Sequence, residues 1–130
     1  MWFWPIHRNG ERMTVYLLNS LVVPVDFTRH SVVWVRMRQT TVEEVKELLR
    51  TATWESAVGH ESTASLLTKI IGIEVPMRRV AVNVKPGDTV VHFALKTRLP
   101  EGRVLSEEEL RQIDYYFVIS EVYDSPPQRG

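Results

Sequence analysis

Residues 54–72, Trp54-Glu55-Ser56-Ala57-Val58-Gly59-His60-Glu61-Ser62-Thr63-Ala64-Ser65-Leu66-Leu67-Thr68-Lys69-Ile70-Ile71-Gly72, change hydrophobic period partway along and so set the fold class. The run over residues 54–58 reads as a short strand. It leads directly into Gly59-His60, after which Leu66, Leu67, Ile70 and Ile71 fall on one face of a helix that Gly72 terminates. A strand that feeds a helix through a turn is the building unit of layered α/β proteins.

Upstream, residues 14–19 (Thr14-Val15-Tyr16-Leu17-Leu18-Asn19) form an apolar run ending on asparagine, which reads as a strand buried on both faces. A second strand is expected across residues 31–38, where Val33, Val35 and Met37 alternate with Trp34, Arg36 and Arg38. From Thr41 the period becomes helical: Val42, Val45, Leu48, Leu49 and Ala52 share a face, and Thr41 with Glu44 forms a capping box. Downstream, residues 79–84 alternate Val80, Val82 and Val84, and Pro86-Gly87-Asp88 turns into residues 89–96, which predicts a hairpin. A polar loop over residues 97–105 ends at Ser106, which can cap a short helix with Glu109. Residues 115–122 close the chain as a strand. The expected architecture is one α/β domain over residues 14–122, a mixed sheet of about five strands flanked by helices. Residues 1–13 form an extension and residues 123–130 a tail.

Composition narrows the partners. With 130 residues and 44% hydrophobic content, the chain can bury one modest core. Its 16 basic and 16 acidic residues cancel, which argues against a long nucleic-acid duplex, whose binding rests on neutralising many phosphates. A small anion remains possible, because a local pocket can be basic. The absence of cysteine removes disulfides, thiol nucleophiles and cysteine-ligated metals, and fits a cytoplasmic setting. No apolar run reaches membrane-spanning length.

His60 stands out among the four histidines because of its neighbours. Gly59 removes a side chain where a ligand would approach, and Ser62 and Thr63 can cap the helix or donate to a phosphate. A helix start offers unpaired N–H groups to an anion, and a histidine beside it can carry a proton near neutral pH. The bland alternative is a histidine that hydrogen-bonds a nearby carbonyl. His7, His30 and His92 lack such neighbours and read as structural or solvated. Arg98 and Glu101, three residues apart on a Pro/Gly-containing loop, can face one point or form a surface ion pair. Arg78 and Arg79 at a strand entry read the same way, and Asn19 with Ser20 supplies neutral donors after the first strand, the alternative being an asparagine that only terminates it.

Tyr16-Leu17-Leu18-Asn19-Ser20, Gly59-His60-Glu61-Ser62-Thr63, Arg78-Arg79-Val80, Arg98-Leu99-Pro100-Glu101-Gly102 and Leu105-Ser106-Glu107-Glu108-Glu109 occur in an order and at separations that carry a resemblance. The chain resembles the viral anti-CRISPR ring nucleases that oppose type III systems, and their bacterial relatives, over residues 14–122. The resemblance implies an α/β homodimer that binds one ring of cyclic tetra-adenylate and cleaves it to linear di-adenylates without metal or other cofactor. It implies His60 as general acid, Arg98 as stabiliser of transition-state charge and Glu101 as the group that orients His60. Asn19, Ser20 and Arg79 then bind ligand beside Gly59, Ser62 and Thr63, and residues 98–106 form a candidate lid.

Two rivals from other classes stand beside this reading. A protein that sequesters the nucleotide without turnover would use the same pocket. A small DNA-binding regulator would show steeply salt-dependent duplex affinity, against the neutral charge. Other enzyme classes lack their signatures. The glycines at 10, 59, 72, 87, 102 and 130 are isolated, so neither a P-loop nor a dinucleotide fingerprint is present, and no histidine pair has the helical spacing of a zinc site.

Overall fold

The computed structural model describes residues 14–96 and 106–127. Its strands are β1 (Val15–Leu18), β2 (Trp34–Thr40), β3 (Trp54–Ser56), β4 (Thr89–Leu95) and β5 (Tyr115–Tyr123), joined in one sheet in the order β2-β5-β4-β1-β3. β1 runs parallel to both its neighbours, β3 and β4, whereas β5 is antiparallel to β4 and β2. The expected α/β arrangement with a five-stranded mixed sheet is therefore found.

Two long helices, α1 (Val42–Thr51) and α2 (Glu61–Ile71), cover one face of this sheet. Val45, Leu48, Leu66, Leu67 and Ile71 from the helices pack on Val15, Leu17, Val91, Phe93, Phe117 and Ile119 from the strands. Alternation along each strand sends the other side chains to the opposite face. There Leu18, Val90 and Val122 form a second cluster with Val84, covered by Val23, Val33 and Val82 from segments outside the strands. The central strand β4 is consequently apolar on both sides, and Val90 to Ala94 are all buried.

Cap chemistry separates two sequence motifs that look alike. At the short helix α3 (Glu107–Gln112) both arms of the expected box are present: the Glu109 N–H donates to Ser106 Oγ at 3.2 Å and the Ser106 N–H donates to Glu109 Oε1 at 3.1 Å. At α1 only one arm forms, the Glu44 N–H donating to Thr41 Oγ1 at 3.2 Å. The Glu44 carboxylate turns instead to Arg38, which donates through both terminal nitrogens at 3.0 and 2.6 Å, and to the Thr40 hydroxyl. A guanidinium that gives two bonds and an opposite charge displaces a single neutral N–H because bidentate Arg–carboxylate pairs are the stronger arrangement.

Helix α2 ends as the sequence predicts. Gly72 adopts φ +77°, and its N–H bonds back to the Thr68 carbonyl. A Cβ at Gly72 would meet nothing within 4 Å, so the glycine serves conformation alone. Gly72→Ala is expected to lower stability by about 1 kcal/mol, the cost of a left-handed L-residue, as read from chemical denaturation.

Two expectations need correction. Residues 79–84 make no hairpin with β4. Among the described residues their strand-type pairing is limited to one isolated bridge, Val84 with Val25, and just upstream Met77 bridges Val58. The reason is competition for edges: β4 already pairs with β1 on one side and β5 on the other. Val82 and Val84 then cover the second sheet face instead of extending the sheet. The turn itself survives, with the Lys85 N–H donating to Asp88 Oδ2 at 3.1 Å and Gly87 at φ +97°. The second correction is that β2 begins at Trp34 and runs on to Thr40, rather than spanning residues 31–38. It is an edge strand whose limits follow its pairing with β5, from Trp34 opposite Tyr123 to Thr40 opposite Phe117. Trp34, Val35 and Met37 remain exposed, so alternation there does not report burial.

Candidate functional site

Parallel pairing of β4, β1 and β3 brings their C-terminal ends to one edge of the sheet. Asn19-Ser20 follows β1, and Gly59-His60 follows β3 after Ala57, whose N–H donates to the Leu17 carbonyl at 2.9 Å. In open α/β sheets this is the edge at which ligands bind. β4 ends at Leu95 on the same edge, and Arg98 and Glu101 come next in the chain. Residues 97–105, and with them Arg98, Glu101 and all of the expected lid except Ser106, lie outside the described residues.

His60 is the N-cap of α2 in extended conformation, with an exposed side chain that makes no cap hydrogen bond. Its carbonyl accepts the first helical bond from the Ala64 N–H at 3.0 Å. The N–H groups of Glu61, Ser62 and Thr63 precede that bond and are the donors a helix start leaves without an intrahelical acceptor. Thr63 is itself buried against the core, so its contribution at this edge is its backbone N–H; Ser62 is half-buried.

Arg79 is brought to this turn from twenty residues away. Its Nε and Nη2 donate to the Gly59 carbonyl at 3.3 and 3.2 Å. The bridge between Val58 and Met77, together with the Arg78 N–H donating to the Val58 carbonyl at 2.8 Å, holds the two segments side by side. A Cβ at Gly59 would meet Arg79 Cγ at 3.8 Å, an ordinary contact, so no neighbouring protein atom requires glycine there.

The two arginines that look equivalent in the sequence have different surroundings. Arg78 lies 3.7 Å from Glu55 across a half-exposed pair, which contributes little to stability, and both line a cleft of about 420 Å³ with Tyr16, Ser56, Val80 and Asn83. Burial, followed by the Asp88 and Glu55 charges, pushes the Tyr16 phenol up, so it stays protonated and offers a neutral hydroxyl.

Sequence reading missed the connection made by His92, which it treated as one structural histidine among three. His92 is fully buried on β4, with Nδ1 2.7 Å from the Ser20 carbonyl oxygen and Nε2 2.7 Å from Ser120 Oγ. The available signal was its company: a histidine within Val90-Val91-His92-Phe93-Ala94 must find partners for two ring nitrogens inside an apolar strand.

Burial pushes the His92 imidazole below its ordinary value, outweighing the hydrogen bond to Ser20 that acts in the opposite sense. The unfolded chain therefore takes up the extra proton first, and stability is expected to fall as pH drops below about 6.5, until the folded value is reached. Glu44 adds a second limb: hydrogen bonding from Arg38 holds its carboxyl below the ordinary carboxylate range. The stability that carboxyl contributes is present above its ordinary value and is lost as pH falls through the folded one. Denaturant midpoints measured from pH 8 to 3 should show both limbs in the native chain and only the lower limb in His92→Asn.

Among the described residues, no group of three or more His, Asp or Glu side chains is arranged to hold a metal ion, and no helix is long and apolar enough to cross a membrane.

Comparison with known proteins adds sequence and structural relatives. The profile of the STIV B116-like family matches residues 15–117. Uncharacterized protein 26 of Sulfolobus islandicus filamentous virus is 42% identical over 109 residues, covering 83% of this chain and 91% of the relative. Uncharacterized protein ORF117 of Acidianus two-tailed virus is 33% identical over 111 residues, covering 82% and 92%. Uncharacterized protein YddF of Bacillus subtilis is 30% identical over 109 residues, covering 82% and 95%. The solved structure of B116 of Sulfolobus turreted icosahedral virus superposes with a TM-score of 0.67 at 25% identity, over 83% of this chain and 98% of that one.

Proposed function

The chain belongs to the STIV B116-like family, and we propose that it is a metal-independent ring nuclease that binds cyclic tetra-adenylate as a homodimer and cleaves it to linear di-adenylates. The observation that carries this reading is the turn at His60. An exposed imidazole engaged in no cap bond, a guanidinium pinned to the Gly59 carbonyl and the open N–H groups of α2 meet at the C-terminal edge of parallel strands.

That set suits a phosphodiester whose nucleophile comes with the substrate. In RNA the ribose 2′-hydroxyl adjoins the phosphate, so the bond from the 2′ oxygen to phosphorus forms, the hydroxyl proton passing to solvent water, as the bond from phosphorus to the 5′ oxygen breaks. The protein has to hold these three atoms in line, balance charge on the phosphorane and deliver a proton to the departing oxygen. His60 is the proton donor. Arg79 spends two of its three nitrogens on Gly59 and keeps N–H donors for a phosphate oxygen. Arg98 stabilises the transition-state charge and Glu101 orients His60. Asn19 and Ser20, at the end of the neighbouring strand, hold the ring. A cyclic tetranucleotide repeats its units, so a two-fold dimer presents identical sites to opposite phosphates. In a cell carrying type III CRISPR defence, destroying such a messenger silences the signal.

One incubation tests this. Purified protein mixed with cyclic tri-, tetra- and hexa-adenylate, with and without excess chelator, and resolved by chromatography should convert the tetra-adenylate ring to di-adenylates carrying a 2′,3′-cyclic phosphate or its opened form, at the same rate in both conditions. Release of intact ring after prolonged incubation would make the protein a sequestering one, and loss of activity in chelator would overturn the mechanism.

A further inference from the structure

We infer that His92 is a positioning residue for ligand binding: buried and out of reach of any substrate, it sets the Asn19-Ser20 loop through the Ser20 carbonyl. The inference rests on the reading above for the ligand, and on three observations of its own.

The first is hydrogen-bond bookkeeping with a single solution. A backbone carbonyl only accepts, so the 2.7 Å contact at Ser20 requires the proton on Nδ1. In the neutral ring, which burial favours, Nε2 is then a bare acceptor, and the Ser120 hydroxyl, 2.7 Å away, donates to it. The tautomer is fixed from both sides. The second observation is rigidity at the base. His92 is 0% exposed, sits on the central strand β4, and is braced by Ser120 of β5, also 0% exposed. The third is how little else holds the loop. Beyond the end of β1 at Leu18, Ser20 is exposed, as are Leu21 at 45% and Val22 at 60%. Among the described residues the next backbone tie comes only at residues 23–26, where the Asp26 N–H donates to the Val84 carbonyl at 2.8 Å and the Val84 N–H to the Pro24 carbonyl at 2.9 Å.

Between those anchors the imidazole is a strut from the sheet to the loop. It acts at the second sheet face, on the strand end that supplies Asn19 and Ser20, and touches neither His60 nor Arg79. Its removal should therefore loosen the grip on the ring and leave the chemical step alone. A group that only stabilised the fold would lower the amount of active protein without changing the affinity of the folded fraction.

The test compares His92→Leu, which loses both bonds, with His92→Asn, whose side-chain amide can place a donor where Nδ1 stood. For His92→Leu, the Kd for cyclic tetra-adenylate should rise on the order of tenfold. Its single-turnover rate at saturating ring should stay within about twofold, and His92→Asn should recover most of the affinity. Amide hydrogen exchange on the free proteins should show residues 20–22 less protected in His92→Leu, with α1 and α2 unchanged. Ser120→Ala, which keeps the bond to Ser20 but removes its brace, should move both readouts in the same direction by less. Should His92→Leu fail to fold, the Asn and Ala variants and the ¹⁵N shifts of His92 in the native protein decide the matter; a proton on Nε2 overturns the inference. So does unchanged exchange at residues 20–22, or a fall in rate at constant affinity. If the native protein shows the exchange pattern but binds no ring, the ligand reading is what has failed, and the positioning role falls with it.

Discussion

His60→Ala is expected to reduce turnover of cyclic tetra-adenylate by about 10²- to 10⁴-fold, the range supplied by a positioned general acid, while the Kd for the ring changes by less than about threefold. The split follows from where the side chain sits. The imidazole is exposed and makes no bond to the start of α2, so its loss leaves the helix, the Gly59 carbonyl and the Arg79 clasp in place. On the proposed reading, the phosphate contacts expected of Arg79 and the first-turn N–H groups would survive, which preserves binding. The proton for the departing 5′ oxygen does not. Rapid-quench single turnover and equilibrium binding on the same preparation separate the two quantities. A variant that keeps turnover within a few-fold of the native chain removes His60 from the mechanism; one that loses affinity and rate together makes it a binding group.

The second large effect concerns the core beneath this edge. Phe93→Ala should cost about 3–5 kcal/mol, the range for deleting a buried aromatic ring, and lower Tm on the order of 10–20 °C. Phe93 is 1% exposed on the central strand, with its ring centroid 5.3 Å from Phe117 and 5.6 Å from Tyr115. Phe117 stands directly opposite it in the register with β5, and the same residues meet the inner faces of α1 and α2. The void cannot close by small movements, because strands on both sides fix the backbone of β4. Against a total stability of about 5–15 kcal/mol for a domain, this change consumes a large fraction. Met37→Ala, at a position 47% exposed on the edge strand, is the control and should stay within about 0.5 kcal/mol. Comparable losses at both positions would mean that the aromatic cluster is not where the core energy lies.

These expectations draw on different amounts of sequence. The start of α2 fell within the small-residue run at 59–63, but His60, with no side-chain cap bond, is the N-cap, and Ser62 and Thr63, expected as possible caps, lie inside the helix. The end of α2 was visible in the chain because its signal is local, Gly72 adopting the left-handed conformation that ends a helix. The Ser106–Glu109 box formed for the same reason, since its partners lie three residues apart. The matching motif at Thr41 formed by half, because Arg38 on β2 captured the Glu44 carboxylate. A motif search sees the local partner and not the competitor on another element. The hairpin expected at residues 79–96 fell to the same blindness. Its valines alternate as a strand should, but β1 and β5 had already taken both edges of β4.

The candidate site divides along the same line. Asn19 and Arg79 entered through the family resemblance, whereas His60 could be singled out by its neighbours. That Arg79 closes on the Gly59 carbonyl twenty residues away, while Arg78 beside it faces Glu55, could not. Nor could the partners of His92, one 72 and the other 28 residues distant.

By itself, then, the amino-acid sequence determined the α/β class, the regions where helices begin and stop, and a neutral, cysteine-free composition that argues against a long nucleic-acid duplex and leaves a small anionic ligand open. Only the tertiary structure decided the order β2-β5-β4-β1-β3, the single edge to which Asn19-Ser20 and Gly59-His60 are brought, and the contact from His92 to the Ser20 carbonyl. The physical reason is range. Caps, turns and hydrophobic period are settled by groups a few residues apart, whereas strand edges and buried polar atoms are satisfied by whichever distant partner the packed chain brings within hydrogen-bonding distance.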